Sequence, residues 1–137
     1  MRYLLDTNIL SELLKKRPNP HLIERLRSRE PESLCTSCIC VMELRFGAAL
    51  RNDTDVFWEK IAEEILSKVT ILPLESHEAV TAGSLLASFQ KAGQMVGMED
   101  ILIASTALHH SCIMVTGNIR HFSKVKALRV ENWLEPV

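Results

Sequence analysis

Short apolar runs alternate with segments of helical periodicity along the whole chain. Five of the runs predict strands, at residues 3–5, 34–36, 69–72, 113–116 and 128–130. Between them, apolar residues recur at the three- and four-residue spacing of helices that bury one face. A regular alternation of strands and helices is typical of a parallel sheet covered on both sides. The pattern therefore predicts an α/β fold.

The helical segments are bounded by residues that start or stop helices. Apolar spacing predicts helices over residues 9–14, 22–26, 39–50, 55–66, 76–89 and 98–108, with a short helical piece around 121–122. Ser37 lies just before the segment 39–50 and Ser76 begins the segment 76–89; both are predicted N-caps, because a serine hydroxyl accepts the first free backbone N–H groups. Proline and glycine separate several of the others.

Length and composition indicate one ordinary globular domain, residues 1–137. The chain is 47% hydrophobic and 24% charged, which is outside the range of disordered chains. Its apolar runs are far shorter than a membrane span, and Asp6 interrupts the first of them. We expect a cytoplasmic protein with no targeting signal and no membrane partner.

The four cysteines and the charge distribution add little by themselves. Cys35 and Cys38 form a C-x-x-C pair that would suit zinc or redox chemistry, but no second pair follows, so buried reduced thiols are favoured. The net charge is −1, which gives no global attraction to nucleic acid. Basic residues nevertheless crowd residues 15–29 and 120–129, and two such clusters on one rim would hold a phosphate backbone.

Three carboxylates have unusual surroundings. Asp6 follows a buried strand directly, Glu43 lies within an apolar helix, and Asp100 lies in the first turn of another helix. Each has a structural explanation when taken singly: Asp6 as a helix cap, Asp100 as a partner of the helix dipole, and Glu43 as a side chain pointing outward. Together they suggest a site at the carboxyl edge of the sheet, where α/β folds bind ligands.

A divalent cation would reconcile the three acids. Two ionised carboxylates about 5 Å apart repel by roughly 3 kcal/mol at an effective dielectric of 20. This repulsion is larger than the stabilisation that a helix cap or the helix dipole gives to a carboxylate. Oxygen ligands without paired histidines favour Mg²⁺ or Mn²⁺ over Zn²⁺. Cations held in this way commonly act on phosphates, and no G-x-x-x-x-G-K-[ST] loop is present to suggest nucleotide triphosphate hydrolysis.

Four blocks of sequence resemble those of the PIN-domain ribonucleases, and most of all the VapC-type toxins of prokaryotic toxin–antitoxin systems. In order they are LLDTNIL at 4–10, VMELRFGA at 41–48, EDILIASTA at 99–107, and TGN at 116–118 with RHF at 120–122. The resemblance implies a three-layer α/β/α sandwich with a central parallel sheet. It also implies an acidic Mg²⁺ or Mn²⁺ site that cleaves RNA, a homodimer, and a cognate antitoxin whose tail blocks the site.

The resemblance also implies roles for individual residues. Asp6, Glu43 and Asp100 match the metal-binding carboxylates, Thr7 and Asn8 support the first of them, and Thr116 provides a nearby hydroxyl. The family often has a fourth acid where this chain has Asn118, and Glu99 is a candidate to compensate. Basic residues that would contact RNA are Arg17, Arg45 and Arg120.

Two other functional classes remain open at this point. The missing fourth acid is compatible with a catalytically weak subunit that interacts with an antitoxin in a DNA-binding repressor complex. An aspartate at the end of the first strand is also found in phosphatases and phosphoacceptor domains. Phosphotransfer phosphatases need a second aspartate two residues later, where this chain has Asn8, so this class is disfavoured.

Overall fold

Five parallel strands form the centre of the fold, which is described for residues 1–137 by a computed structural model. The strands are β1 (Arg2–Leu5), β2 (Leu34–Ser37), β3 (Thr70–Leu72), β4 (Cys112–Val115) and β5 (Val130–Glu131). They lie in the order β3-β2-β1-β4-β5, and every neighbouring pair is parallel. The predicted parallel sheet is confirmed.

Seven helices cover the sheet and complete a three-layer α/β/α sandwich. They are α1 (Thr7–Glu12), α2 (Pro20–Arg27), α3 (Cys38–Ala49), α4 (Thr54–Glu64), α5 (Ser76–Lys91), α6 (Met98–His109) and α7 (Ile119–Phe122). Short 3₁₀ turns at Pro31–Ser33 and Leu66–Lys68 lead into β2 and β3. Helix α3 packs against α1 and α4, and α5 packs against α6 as an antiparallel hairpin. None of the seven has the length and hydropathy needed to cross a membrane.

The chain reverses its direction of travel across the sheet between β1 and β4. From β1 it moves outward through β2 to β3, and it then returns to the other side of β1 to form β4 and β5. In open parallel sheets, the crevice at such a reversal lies beyond the carboxyl ends of the two strands and is the usual ligand site. The topology therefore predicts a ligand site at the residues that follow Leu5 and Val115.

Both central strands are held in a continuous apolar core. All four residues of β4 are buried, as are Leu4 and Leu5 of β1. From the helices, Ile101 and Ala104 of α6 belong to the same buried cluster. Strands buried on both faces lack the alternating pattern of half-exposed strands. This packing gives the polar residues at the strand ends a rigid base.

Several element boundaries differ from the sequence-based predictions. The predicted strand 128–130 is observed two residues later as the two-residue edge strand β5, which is too short to show a period. Ser37 is the N-cap of α3 and accepts the Ile39 N–H, as predicted. Ser76 is not an N-cap, because Glu75 occupies that position and its N–H is bound by the Glu78 carboxylate.

Candidate functional site

Asp6 lies at the reversal point of the sheet, immediately after β1. Only 5% of its surface is exposed. Its backbone N–H continues the sheet by donating to Val115 O at 2.9 Å, and the residue is also the N-cap of α1. One carboxylate oxygen, Oδ1, accepts the Thr7 N–H at 2.8 Å, and the other, Oδ2, accepts the Thr116 hydroxyl at 2.7 Å. The carboxylate is therefore fixed from two strand ends at once.

Glu43 reaches the same place from α3. Its Oε1 accepts a 2.7 Å hydrogen bond from the hydroxyl of Thr7, whose backbone N–H already binds Asp6. Oxygens of the Asp6 and Glu43 carboxylates and the sulfur of Cys40 lie within 4.8 Å of one another. Thr7 thus holds both acids in position.

Asp100 approaches from the first turn of α6. Its carboxylate lines the same cleft as Asp6 and Glu43, and its Oδ2 lies 3.1 Å from Nδ1 of His121 in α7. The structure therefore brings together the three acids that the sequence singled out. His121 was not among the predicted site residues, because its proximity to Asp100 depends on where α7 packs.

Burial raises the pKa of the Asp6 carboxyl above its ordinary value. The hydrogen bonds from Thr116 and from the Thr7 backbone lower it, whereas the neighbouring charges of Asp100 and Glu43 raise it further. The balance remains on the raised side because burial and like charge both disfavour the ionised form. A positively charged ligand in the cleft would relieve both effects.

The cleft around these acids has a volume of about 570 Å³ and is lined almost entirely by polar residues. Besides the three acids it is lined by Thr7, Asn8, Ser11, Glu12, Lys15, Gly117, Asn118 and Leu134. Ser11 and Lys15 follow Thr7 at four-residue steps, and this helical spacing is a signal from which the sequence could have identified them. Lys15 is the one basic side chain lining the cleft and pairs with Glu12 at 2.9 Å.

The β4 end of the cleft is built by a tight polar turn. The Thr116 hydroxyl that donates to Asp6 also accepts the Asn118 N–H at 2.9 Å. The Gly117 N–H lies 3.5 Å from Asn8 Oδ1. A side chain at Gly117 would approach Leu134 Cδ1 to 3.2 Å, so the close packing here favours glycine. Asn8, Thr116 and Asn118 thus lie next to Asp6.

Four other predicted site residues do not line the cleft. Glu99 is exposed in the first turn of α6 and is not among the residues that line the cleft. Arg45 is exposed on α3 and lies over the Trp58 ring, 5.2 Å from its centroid. Arg17 and Arg120 are also exposed. Any contact they make with a long ligand would lie outside the cleft.

The available donors fit a hard cation. Burial raises the pKa of the Cys40 thiol to about 11, so this sulfur stays protonated at neutral pH beside Asp6 and Glu43. Only oxygen ligands then remain, which is the donor set that Mg²⁺ and Mn²⁺ prefer. All four cysteines are free, so the Cys35–Cys38 pair forms no disulfide.

Comparison with known proteins identifies the family. The PIN domain family matches residues 3–128. Ribonuclease VapC2 of Haemophilus influenzae is 35% identical over 134 residues, 98% of this chain and 99% of that protein. The crystal structure of FitAcB from Neisseria gonorrhoeae superposes with a TM-score of 0.88 at 30% identity, covering 98% of this chain and 99% of that one.

A further structural neighbour is VapBC2 from Rickettsia felis, solved with a DNA fragment from its promoter. It has a TM-score of 0.85 and 26% identity, and the match covers 97% of this chain and 99% of that one. The matches extend over nearly the full length and include all four blocks of sequence that surround the acids. The chain belongs to the PIN domain family and, within it, to the VapC proteins.

Proposed function

We propose that this chain is a Mg²⁺- or Mn²⁺-dependent endoribonuclease toxin that acts in the cytoplasm on tRNA, rRNA or mRNA. The observation that carries the proposal is the convergence of Asp6, Glu43 and Asp100 in one polar cleft. Its Haemophilus relative is named a ribonuclease, which supports the substrate class. The reaction is attack of water on a phosphodiester, with cleavage of the P–O3′ bond to leave a 5′-phosphate and a 3′-hydroxyl.

Asp6, Glu43 and Asp100 are the residues that would hold the cation. When bound, such a cation acidifies water and neutralises charge that develops on the phosphate. Thr116 and Thr7 fix the orientation of Asp6, Thr7 also fixes Glu43, and His121 contacts Asp100. Asn8 and Asn118 offer amide oxygens at the cleft wall, which supply a neutral substitute for a fourth acid.

Basic residues would bind the RNA backbone in two zones. Lys15 lies at the cleft itself, where an ammonium group attracts the phosphate next to the scissile bond. Arg17, Arg45 and Arg120 are exposed and are proposed to contact phosphates farther along the strand. Glu99, at the α6 N-terminus, is proposed to assist Asp100 rather than to bind the cation alone.

An RNA cleavage assay with the full chain tests the proposal. We expect Mg²⁺ or Mn²⁺ to support cleavage of a tRNA pool, EDTA to abolish it, and added Mn²⁺ to restore it. Sequencing of the product ends should show 5′-phosphates and 3′-hydroxyls. Cleavage that persists in EDTA, or ends that carry 2′,3′-cyclic phosphates, would contradict the metal-dependent hydrolysis.

The Thr116→Val variant tests how the cleft supports Asp6. Valine has a similar shape but removes the donor to Asp6 Oδ2 and the acceptor for the Asn118 N–H. Removing a hydrogen bond that supports a metal ligand typically lowers metal affinity or activity by about 10- to 100-fold, and we expect the rate of RNA cleavage to fall by that factor. Because the Thr116 bond lowers the pKa of Asp6, the acidic limb of the pH–rate profile should move to higher pH.

Thr116→Ser is the matched control, since serine keeps the hydroxyl. We expect it to retain most of the activity and an unshifted acidic limb. An equal loss in both variants would indicate that packing of the methyl group, and not the hydrogen bond to Asp6, is what the site needs.

We also propose two protein partners, a cognate antitoxin and a second copy of this chain. The structural neighbours solved as VapBC complexes support an antitoxin. Met42 and Phe46 of α3 and Leu50, directly after it, are exposed at four-residue steps, and such an apolar stripe is typical of an interface. Light scattering of the isolated chain should give twice the monomer mass; a monomer at all concentrations would contradict the homodimer.

A second candidate function is a weakly catalytic subunit of an antitoxin complex that represses transcription. Asn118 in place of a fourth acid and the promoter-bound Rickettsia neighbour favour it. The cleavage assay separates the candidates. A chain that lacks cleavage with either cation, but strengthens binding of its antitoxin to promoter DNA, would have this second function.

A further inference from the structure

A cluster of three histidines and one glutamate lies at the other end of α6 from Asp100. It consists of His77, Glu78, His109 and His110, here called the histidine cluster. Helices α5 and α6 form an antiparallel hairpin, so the first turn of α5 meets the last turn of α6. His109 is nine residues beyond Asp100, which at the helical rise is about 14 Å. The cluster is therefore separate from the acidic cleft.

Glu78 presents an unsatisfied oxygen to this cluster. Its side chain is fully buried, and Oε2 accepts the backbone N–H of Glu75. The other oxygen, Oε1, lies 2.8 Å from Nε2 of His77 and 3.6 Å from Nε2 of His110, yet it makes no hydrogen bond of acceptable geometry. His110 Nε2 is likewise buried without a partner. Buried polar atoms without partners are costly and uncommon.

His109 completes a set of three ligand atoms. Its ring centroid lies 4.5 Å from that of His77, and its Nε2 is 2.8 Å from the Thr81 hydroxyl. One ring nitrogen from each of these two histidines and a Glu78 oxygen lie within 4.8 Å of one another. Zinc bonds to nitrogen and oxygen are about 2.0–2.2 Å long, so ligand atoms on one ion are at most about 4 Å apart. His77 and His109 are exposed and can close the remaining gap by rotation.

We propose that His77, Glu78 and His109 bind a divalent transition cation of the Zn²⁺ class. Two imidazoles with one carboxylate match the preference of Zn²⁺, Co²⁺ and Ni²⁺, whereas Mg²⁺ favours oxygen ligands alone. The Thr81 hydroxyl contacts Nε2 of His109, which leaves Nδ1 of that ring for the metal, and it would orient the ring as outer-shell partners of metal-bound histidines do. His110 offers a fourth ligand close to the same Glu78 oxygen. The ion would join the start of α5 to the end of α6.

Cobalt and zinc titrations of the tag-free full chain test this site. An Asp6→Asn, Asp100→Asn double variant serves as the parent so that the acidic cleft does not contribute. We expect one equivalent of Co²⁺ to produce visible absorption bands, Zn²⁺ to displace it, and Zn²⁺ to raise the Tm. Millimolar Mg²⁺ should leave the Co²⁺ bands unchanged, because the imidazole ligands disfavour it.

His77→Ala and His109→Ala, each made in that parent, should weaken Zn²⁺ binding at least about tenfold and abolish the Tm increase. His21→Ala is the matched control, since His21 lies on α2 away from the cluster. Both test residues are exposed, so the variants should stay folded, which their unliganded Tm will verify. Unchanged Zn²⁺ affinity in both variants, or no stoichiometric binding by the parent, would overturn the proposal. The cluster would then be only a contact between the Glu78 carboxylate and the neighbouring imidazole rings.

Discussion

Asp6→Asn is expected to reduce RNA cleavage by at least about a thousandfold while making the metal-free protein more stable. A thousandfold loss corresponds to about 4 kcal/mol of transition-state stabilisation. Asparagine keeps one oxygen to accept the Thr7 N–H but removes the charge that would hold the cation. Cleavage rates at saturating Mn²⁺ measure the loss.

The stability gain follows from the raised pKa of Asp6. Below the ordinary pKa of an aspartate, Asp6 is protonated in the folded and unfolded chain, and its charge has no effect on folding. As the pH rises through the raised folded-state pKa, the buried carboxylate ionises beside Asp100 and Glu43, and stability is lost. Asparagine avoids this loss, and we expect the variant to be more stable than the wild type at pH 7, chiefly because a buried charge is removed and secondarily because its repulsion by Asp100 and Glu43 is relieved.

Urea unfolding in EDTA at pH 4 and pH 7 measures the gain for Asp6→Asn. The difference in unfolding free energy between variant and wild type should be larger at pH 7. Asp53→Asn is the control, because Asp53 is exposed, pairs with Arg51 and does not line the cleft. It should leave cleavage unchanged. Full activity of Asp6→Asn would refute the role of this carboxylate, and a less stable variant at pH 7 would refute its electrostatic strain.

Trp133→Ala is expected to destabilise the fold by about 3–5 kcal/mol, the usual cost of removing a fully buried aromatic side chain. Trp133 has no exposed surface, and its Nε1 donates to Glu131 Oε1 at 3.0 Å. The centroids of the Trp133 and Tyr3 rings lie 5.0 Å apart, and the Arg29 guanidinium lies over both rings. The side chain thereby fastens the C-terminal segment to β1.

Chemical denaturation of Trp133→Ala and Trp58→Ala provides the comparison. Trp58 is only partly buried on α4, so its loss should cost clearly less. Trp133 does not line the cleft, so the Trp133→Ala variant should still cleave RNA at temperatures where it is folded. A cost below about 1 kcal/mol, which is typical of surface changes, would show that the C-terminal segment is not fastened in this way.

The sequence predicted the parts of the site that depend on local pattern. A buried run followed by Asp6 and then by helical spacing places this acid at a strand end. Glu43 and Asp100 were recognisable because charged residues seldom lie beside apolar helical runs without a partner. The four blocks of family resemblance then connected acids that are far apart in the chain.

Features that depend on packing between distant elements were not predictable in this way. His121 meets Asp100 only because α7 packs beside α6, and Trp133 meets Tyr3 only because the chain returns after β5. The clustering of basic residues along the sequence did not show which of them face the cleft, and Arg17 and Arg120 lie outside it. Lys15 lines it because it continues the face of α1 that carries Thr7.

At the start of α5, two neighbouring residues are candidates for the N-cap position. Ser76 is a good N-cap residue in isolation, yet Glu75 takes the position because Glu78 binds its backbone N–H. The same Glu78 then lies among histidines from both ends of a helical hairpin. Sequence spacing did not reveal this cluster, because His77 and His109 are 32 positions apart and meet only when α5 and α6 pair.

Mn²⁺ binding followed by electron paramagnetic resonance tests the convergence of the three acids most directly. The measurement uses a His109→Ala background, so that the histidine cluster cannot contribute. We predict that the His109→Ala protein binds Mn²⁺. Adding Asp6→Asn, Glu43→Gln or Asp100→Asn to it should each weaken Mn²⁺ binding at least about tenfold, whereas adding Asp53→Asn should not. Equal Mn²⁺ affinity in all of these variants would contradict a shared cation site in the cleft.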